Sequence, residues 1–266
     1  MTVEAHGITV IKNGNRILED VSFTAPAGKV TALIGPNGSG KSTLLAAVSG
    51  DDKPHSGTVS LSGVNAFDAS SLELAQTRSV MLQDISIAFS FLVRDVVEMG
   101  RTPWSKVSEP DHDEAIIDAA LEAAGVTHLQ DRDITTLSGG ERARVALARI
   151  LAQQTPIVFL DEPTAAMDIR FQERTMGTVR RLAEAGRTVI VVLHNLQAAA
   201  TYCDNVVCLS RGKVEATGTV DAVYTDEILS RVYEWPIHVE KTPTGLFVHP
   251  EPEEWHGGSL LFTPST

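Results

Sequence analysis

Residues 35–43 read Gly35-Pro36-Asn37-Gly38-Ser39-Gly40-Lys41-Ser42-Thr43, the pattern G-x-x-x-x-G-K-[ST]. Each residue type has a task at an anion. Glycine lets the backbone approach phosphate oxygens without a Cβ in the way, so successive N–H groups can converge on them. Lys41 brings a positive charge to the β and γ phosphates, and the Ser42 hydroxyl suits a Mg2+ ligand. The rival reading is an accidental Gly-rich turn. An apolar strand before the loop and a helix after it favour the phosphate reading, because a helix N-terminus adds unpaired N–H groups of its own. Alone, the loop indicates a nucleoside triphosphate and nothing finer.

Two adjacent carboxylates, Asp161-Glu162, end the apolar run Ile157-Val158-Phe159-Leu160. At the C-terminal edge of a parallel sheet, beside the phosphate loop, Asp161 suits the Mg2+ shell and Glu162 the attacking water. A solvated strand end is the plain alternative, and the four apolar residues before the pair weigh against it. Gln83, after Ser79-Val80-Met81-Leu82, is placed to reach the metal or the water from a neighbouring strand. His194 ends the apolar run 188–193 at the same edge, although a histidine there is commonly structural. Ser138-Gly139-Gly140-Glu141 carries two compatible readings. The S-x-x-E spacing is a capping box, and a helix start with two glycines and a serine also offers donors to an anion.

The elements that must hold these residues follow from periodicity. Short β-branched runs at residues 30–34, 157–160, 188–193 and 206–209 carry almost no polar alternation, as strands buried on both faces do. Helical segments follow two of them, at 41–48 and 168–185, which gives a doubly wound α/β pattern. The first two dozen residues, with 58–61, read as antiparallel strands attached to that sheet, turning at Asn13-Gly14-Asn15. From about 91 to 151 the period is helical, with Ile116, Ile117, Ala120, Leu121 and Ala124 on one face and Gly125 as the stop. Two short helices follow the turn at Arg211-Gly212, and the tail reads as a short hairpin and frayed ends.

In this order and spacing the segments resemble the ATP-binding cassette family over nearly the whole chain, to about Val239. Residues 35–43, Gln83, Leu137 to Glu141, Asp161-Glu162, Ala165-Ala166-Met167-Asp168 and His194 match its Walker A, Q-loop, signature, Walker B, D-loop and H-loop. The resemblance implies an α/β fold with a P-loop NTPase (RecA-like) core and parallel sheet, an N-terminal antiparallel β subdomain and an inserted helical subdomain at about 86–152. On this division one ATPase domain covers residues 1–240 and a short extension covers 241–266. It further implies ATP as substrate with Mg2+ held through Ser42, Gln83 and Asp161, Glu162 as general base or water-orienting carboxylate, and His194 on the γ-phosphate. Each ATP would lie in a head-to-tail homodimer, between the phosphate loop of one copy and Ser138-Gly139-Gly140 of the other. Three positions depart from the family pattern. Lys12 stands where an aromatic residue usually stacks on adenine, Asn195 follows His194 in place of Asp, and the D-loop begins with Ala165 in place of Ser.

Composition narrows the role. The chain has 266 residues, 22 Lys plus Arg against 34 Asp plus Glu, and a net charge of −12, which disfavours nucleic acid as a partner. It has no apolar run near the roughly 20 residues of a membrane span and no signal-like start, so the cytosol is expected, and the resemblance implies the cytoplasmic face of a bacterial membrane. Cys203 and Cys208 fit neither a redox pair nor a zinc half-site and read as buried thiols. DNA-repair relatives of the family are the rival class. Those with long coiled-coil arms insert them between Q-loop and signature, and here Gln83 and Ser138 are only 55 positions apart. A kinase is a third reading, in which the signature has no place. Transport is favoured, with a membrane-spanning permease on another chain and an external substrate-binding protein as indirect partner. Residues 89–101, Phe89-Ser90-Phe91 within them, resemble the ATPases of siderophore, haem and cobalamin importers and lean towards haem. Arg94 and Asp95 are expected where the permease docks.

Overall fold

The computed structural model describes residues 1–82, 90–243 and 245–253, so Gln83 lies outside the described residues, as do Phe89 and the tail beyond 253. Strands β1 (Val3–Lys12), β2 (Asn15–Ala25), β4 (Ser56–Leu61) and β5 (Val64–Asn65) form an antiparallel sheet in the order β2-β1-β4-β5. Six others, β3 (Val30–Ile34), β6 (Arg78–Met81), β7 (Ile157–Asp161), β8 (Thr188–Val192), β9 (Asn205–Ser210) and β10 (Lys213–Thr219), form a second sheet in the order β10-β9-β3-β8-β7-β6. Its four pairings from β9 to β6 are parallel, and only β10 runs antiparallel to its neighbour. The N-terminal strands thus make a sheet of their own where attachment to the parallel sheet was expected. The reason is that helix α1 (Lys41–Val48) fills the space between the two sheets, its Leu44, Leu45, Ala47 and Val48 joining one core with Ile8, Leu18 and Val21.

The uniform apolarity of the inner strands is explained by burial on both faces. In β7, Ile157 and Phe159 face the core under the antiparallel sheet, while Val158 and Leu160 face the core under the helices. Strands β8 and β9 divide in the same way, Ile190 and Val207 to one side, Val191 and Val206 to the other. Phe159 is fully buried, and truncating it to alanine would cost about 3–5 kcal/mol. On the helix-covered face lie α6 (Ile169–Glu184), α7 (Leu196–Tyr202), α8 (Val220–Val223) and α9 (Asp226–Tyr233), all contributing to that core. Both cysteines are buried, and burial pushes each thiol up to about 12.

A third core is built locally. Helices α3 (Val93–Glu98), α4 (Pro110–Ala124) and α5 (Gly139–Gln153) bury Val93, Val97, Ile117, Leu121, Val145 and Ala148 against one another, with α2 (Ser71–Thr77) leading into β6. Helix α4 ends at Gly125 with φ 69, the left-handed cap the sequence predicts. Arg94 is tied inside this unit to Asp118 at 2.7 Å and to Glu114. Finally β11 (Ile237–Thr242) and β12 (Gly245–Pro250) form a hairpin closed by the pair Thr242 and Gly245, packed on α7. Gln197 ties it there, donating to Leu246 O at 2.8 Å and accepting from Val248 N at 3.0 Å.

Candidate functional site

The phosphate loop leaves β3 at Ile34 and enters α1 at Lys41. Gly35 turns it. With φ 144 and Leu209 O only 2.0 Å from where a Cβ would stand, no side chain fits at that position. The turn is braced by Ser39 N donating to Pro36 O at 3.2 Å, and by Gly212 N, from the β9–β10 turn, donating to Ser39 O at 3.2 Å. Lys41 is 6% exposed and curls back under the loop, its Nζ donating to Gly35 O at 2.8 Å and to Pro36 O at 2.9 Å. Burial lowers its pKa, and the nearby Glu162 and Asp161 oppose that.

Those carboxylates come from the next strand but one. Strand β8 lies between β3 and β7, and β7 ends at Asp161 level with the loop. Asp161 is 5% exposed, and its Oδ1 is buried without a hydrogen-bond partner. Burial raises its pKa, and the Ser42 hydroxyl draws it back. A buried carboxylate with an orphaned oxygen beside a serine hydroxyl is a hard-oxygen donor set suited to Mg2+. Glu162 follows with φ 49, an uncommon left-handed conformation, and its N–H donates to Val192 O at 3.2 Å. The second carboxylate reaches the end of β8, where His194 Nε2 and Glu162 Oε1 share a hydrogen bond. Asn195 caps α7 by accepting from Ala198 N at 3.0 Å, a task Asp performs equally, so the departure at this position leaves the chain path intact.

The signature helix is elsewhere. Ser138 and Glu141 form the expected capping box at the start of α5, with Ser138 N donating to Glu141 Oε2 at 2.8 Å. Its neighbour is the D-loop of the same chain. Ala166, with φ 59, presents its carbonyl 2.8 Å from where a Cβ on Gly140 would stand, so only glycine allows this approach. Asp168 caps α6 by accepting from Phe171 N at 3.0 Å, and the Arg144 guanidinium of α5 stacks 3.7 Å over the Phe171 ring. Among the described residues no hydrogen bond or ion pair joins residues 138–141 to residues 35–43. Lys41, Ser42, Asp161, Glu162 and His194 are therefore gathered, while Ser138, Gly139, Gly140 and Asp168 form a second cluster.

Lys12 is engaged. Its Nζ pairs with Asp52 Oδ2 at 2.8 Å, which ties the β1 end to the segment after α1. The sequence marks Gly212 as a turn residue but does not connect Gly212 or Tyr233 with the phosphate loop, since each lies more than 170 positions from its contact.

The family described as ABC transporter matches residues 18–165. The chain is 47% identical over 243 residues to the hemin import ATP-binding protein HmuV of Rhodococcus jostii (strain RHA1), covering 91% of this chain and 83% of that protein. It is 41% identical to the cobalamin import ATP-binding protein BtuD of Halobacterium salinarum, over 91% of this chain and 61% of that one. Among solved structures, an ATP-binding cassette in a dimeric post-hydrolysis state, bound to ADP and Pi, aligns with TM-score 0.75 at 27% identity. The alignment covers 82% of this chain and 98% of that one.

Proposed function

This chain belongs to the ABC transporter family and is the ATP-hydrolysing subunit of an importer; we propose that its cargo is haem and that it works as one half of a homodimer. The observation that carries the hydrolytic assignment is the meeting of Lys41, Asp161, Glu162 and His194 at one sheet edge. The loop N–H groups and Lys41 bind the phosphates of ATP and orient the γ-phosphate. Ser42 and Asp161 would hold Mg2+, which would neutralise the charge that develops on the phosphates. Gln83 joins them in this reading as a further metal or water contact. Glu162 accepts the proton of the attacking water, and His194 fixes the direction in which that carboxylate points.

The second cluster, Ser138 to Glu141 with Asp168, serves the partner copy's ATP. A helix N-terminus with free N–H groups on the surface of α5 suits the γ-phosphate of an ATP bound to another copy. The solved relative with ADP and Pi is itself a dimer, which supports this arrangement.

Haem as cargo is supported by 47% identity to a hemin import ATP-binding protein, and cobalamin is the second reading on the 41% relative. A membrane-spanning permease is the direct partner and an external binding protein the indirect one. None of the helices among the described residues is long and apolar enough to cross a membrane, which fits peripheral attachment at the cytoplasmic face. The test is reconstitution of this chain with its co-purified permease in vesicles. ATP-dependent uptake of haem supports the reading, and uptake of cobalamin or a ferric siderophore in its place refutes it.

A further inference from the structure

Gly35 is buried, so its N–H is out of reach of bulk water. It needs a partner, since a buried N–H left unpaired is costly. That partner is Tyr233, 198 positions later, whose hydroxyl accepts from Gly35 N at 3.0 Å. Tyr233 is the last residue of α9, half-buried against the core on the helix-covered face of the parallel sheet. The carbonyl of the same glycine is held from the other side by Lys41 Nζ at 2.8 Å, and its Cα abuts Leu209 O. The first residue of the phosphate loop is thus fixed on three sides, and one of these comes from the C-terminal helix α9.

Helix α9 is itself anchored. Asp226, at its first turn, accepts from Val239 N at 2.8 Å, and Ser230 Oγ accepts from Ile237 N at 2.8 Å, so β11 ties the first turn and the middle of the helix. The next residue, Glu234, leaves the helix in a left-handed conformation, φ 54, which terminates α9 just after the tyrosine. Tyr233 is therefore delivered to Gly35 by a helix with fixed length and position.

We propose that Tyr233 is a positioning residue for ATP binding: it holds the first loop amide so that the remaining N–H groups and Lys41 meet the phosphates in register. The proposal rests on reading residues 35–43 as the ATP site. Its chemistry is a single neutral hydrogen bond, so the phenylalanine variant removes it while keeping the ring.

The experiment compares wild type, Tyr233→Phe and Tyr224→Phe. Tyr224 is a second buried tyrosine whose hydroxyl donates to Leu196 O at 3.0 Å, away from the loop. Tyr233→Phe is expected to raise KM for ATP about five- to tenfold with kcat changed less than about twofold. The Gly35 amide should exchange with solvent at least about tenfold faster than in wild type. Tyr224→Phe is expected to lower the melting temperature without moving KM. An unchanged KM and unchanged Gly35 exchange in Tyr233→Phe overturns the proposal, and so does an equal rise in KM for both variants. Lys41→Ala separates the two levels of the argument. If it leaves ATP affinity intact, the loop assignment itself fails; if it abolishes affinity while Tyr233→Phe is silent, only the role of Tyr233 fails.

Discussion

His194 and Glu162 share a hydrogen bond across the ends of two adjacent parallel strands, and Glu162 makes it from a left-handed backbone conformation. The pair is what distinguishes the two neighbouring carboxylates. Asp161 stays buried beside Ser42, while Glu162 is turned to a histidine that is 44% exposed.

Glu162→Gln keeps the shape and the contact with His194 but removes the basic oxygen. ATP binding should persist while turnover falls about 10^2- to 10^4-fold, the usual contribution of a positioned general base. Steady-state ATPase rates set beside nucleotide affinity measure this. Wild-type turnover in the variant would show that another group takes the proton.

The two-cluster geometry predicts complementation between defective copies. Lys41→Ala should lose the nucleotide-dependent rise in stability, about 2.7 kcal/mol at a hundredfold excess over Kd. Ser138→Arg should block closure on a partner's ATP while leaving that copy's own loop intact. A mixed dimer of the two then has one site with both defects and one with neither, and should trap one ATP per dimer. Native mass spectrometry counts the nucleotides, and a mixed dimer as empty as the Lys41→Ala homodimer would argue that each copy closes its own site.

For permease docking the structure distinguishes the two residues of the expected pair. Arg94 is committed to Glu114, Asp118 and Gln130 within the helical unit, so reversing its charge damages that unit. Asp95 instead lines a cavity of about 520 Å³ with Glu98, Met99 and Ile117. Asp95→Lys should reduce permease co-purification several-fold while ATP affinity stays within about twofold, since rim charges act chiefly on association. Unchanged co-purification would remove this face from the interface.

The C-terminal hairpin should respond to pH through His238. Glu251 and Asp226, bonded at 2.7 and 3.0 Å, hold its pKa above the ordinary 6.5, and the His249 ring stands 5.7 Å away. A raised histidine pKa contributes stability that is fully present below about 6.5 and is lost as pH rises through the folded value. Asp226 has the opposite sign, its pKa lowered first by the Val239 N–H and then by His238, so its contribution is lost as pH falls through that value. Protection of the hairpin amides should therefore decline as pH rises above about 6.5 in wild type, and the decline should vanish in His238→Ala. The same slope in both proteins would assign the effect to other groups. Because the imidazole is exposed, salt should weaken the effect.

Much of the active edge could be read from the chain. Local chemistry dictates the phosphate loop, the two-faced burial of β7 and β8, the cap at Ser138 and the stop at Gly125, since each depends on neighbours within a few positions. The hairpin and both buried cysteines followed from the same kind of signal. The antiparallel sheet was legible as strands, but its separation from the parallel sheet depended on α1 filling the gap between them.

The sequence by itself determined which groups exist to bind phosphates and activate water, because glycine, lysine and carboxylate at these spacings have few other uses. Tertiary structure decided which of them meet. Strand order brought residues 41, 161, 162 and 194 to one edge while the local core of α3, α4 and α5 held the signature helix beside the D-loop. It also enlisted Tyr233 and Gly212 for the loop, contacts that close nearly 200 residues of chain and depend on packing that no local pattern records.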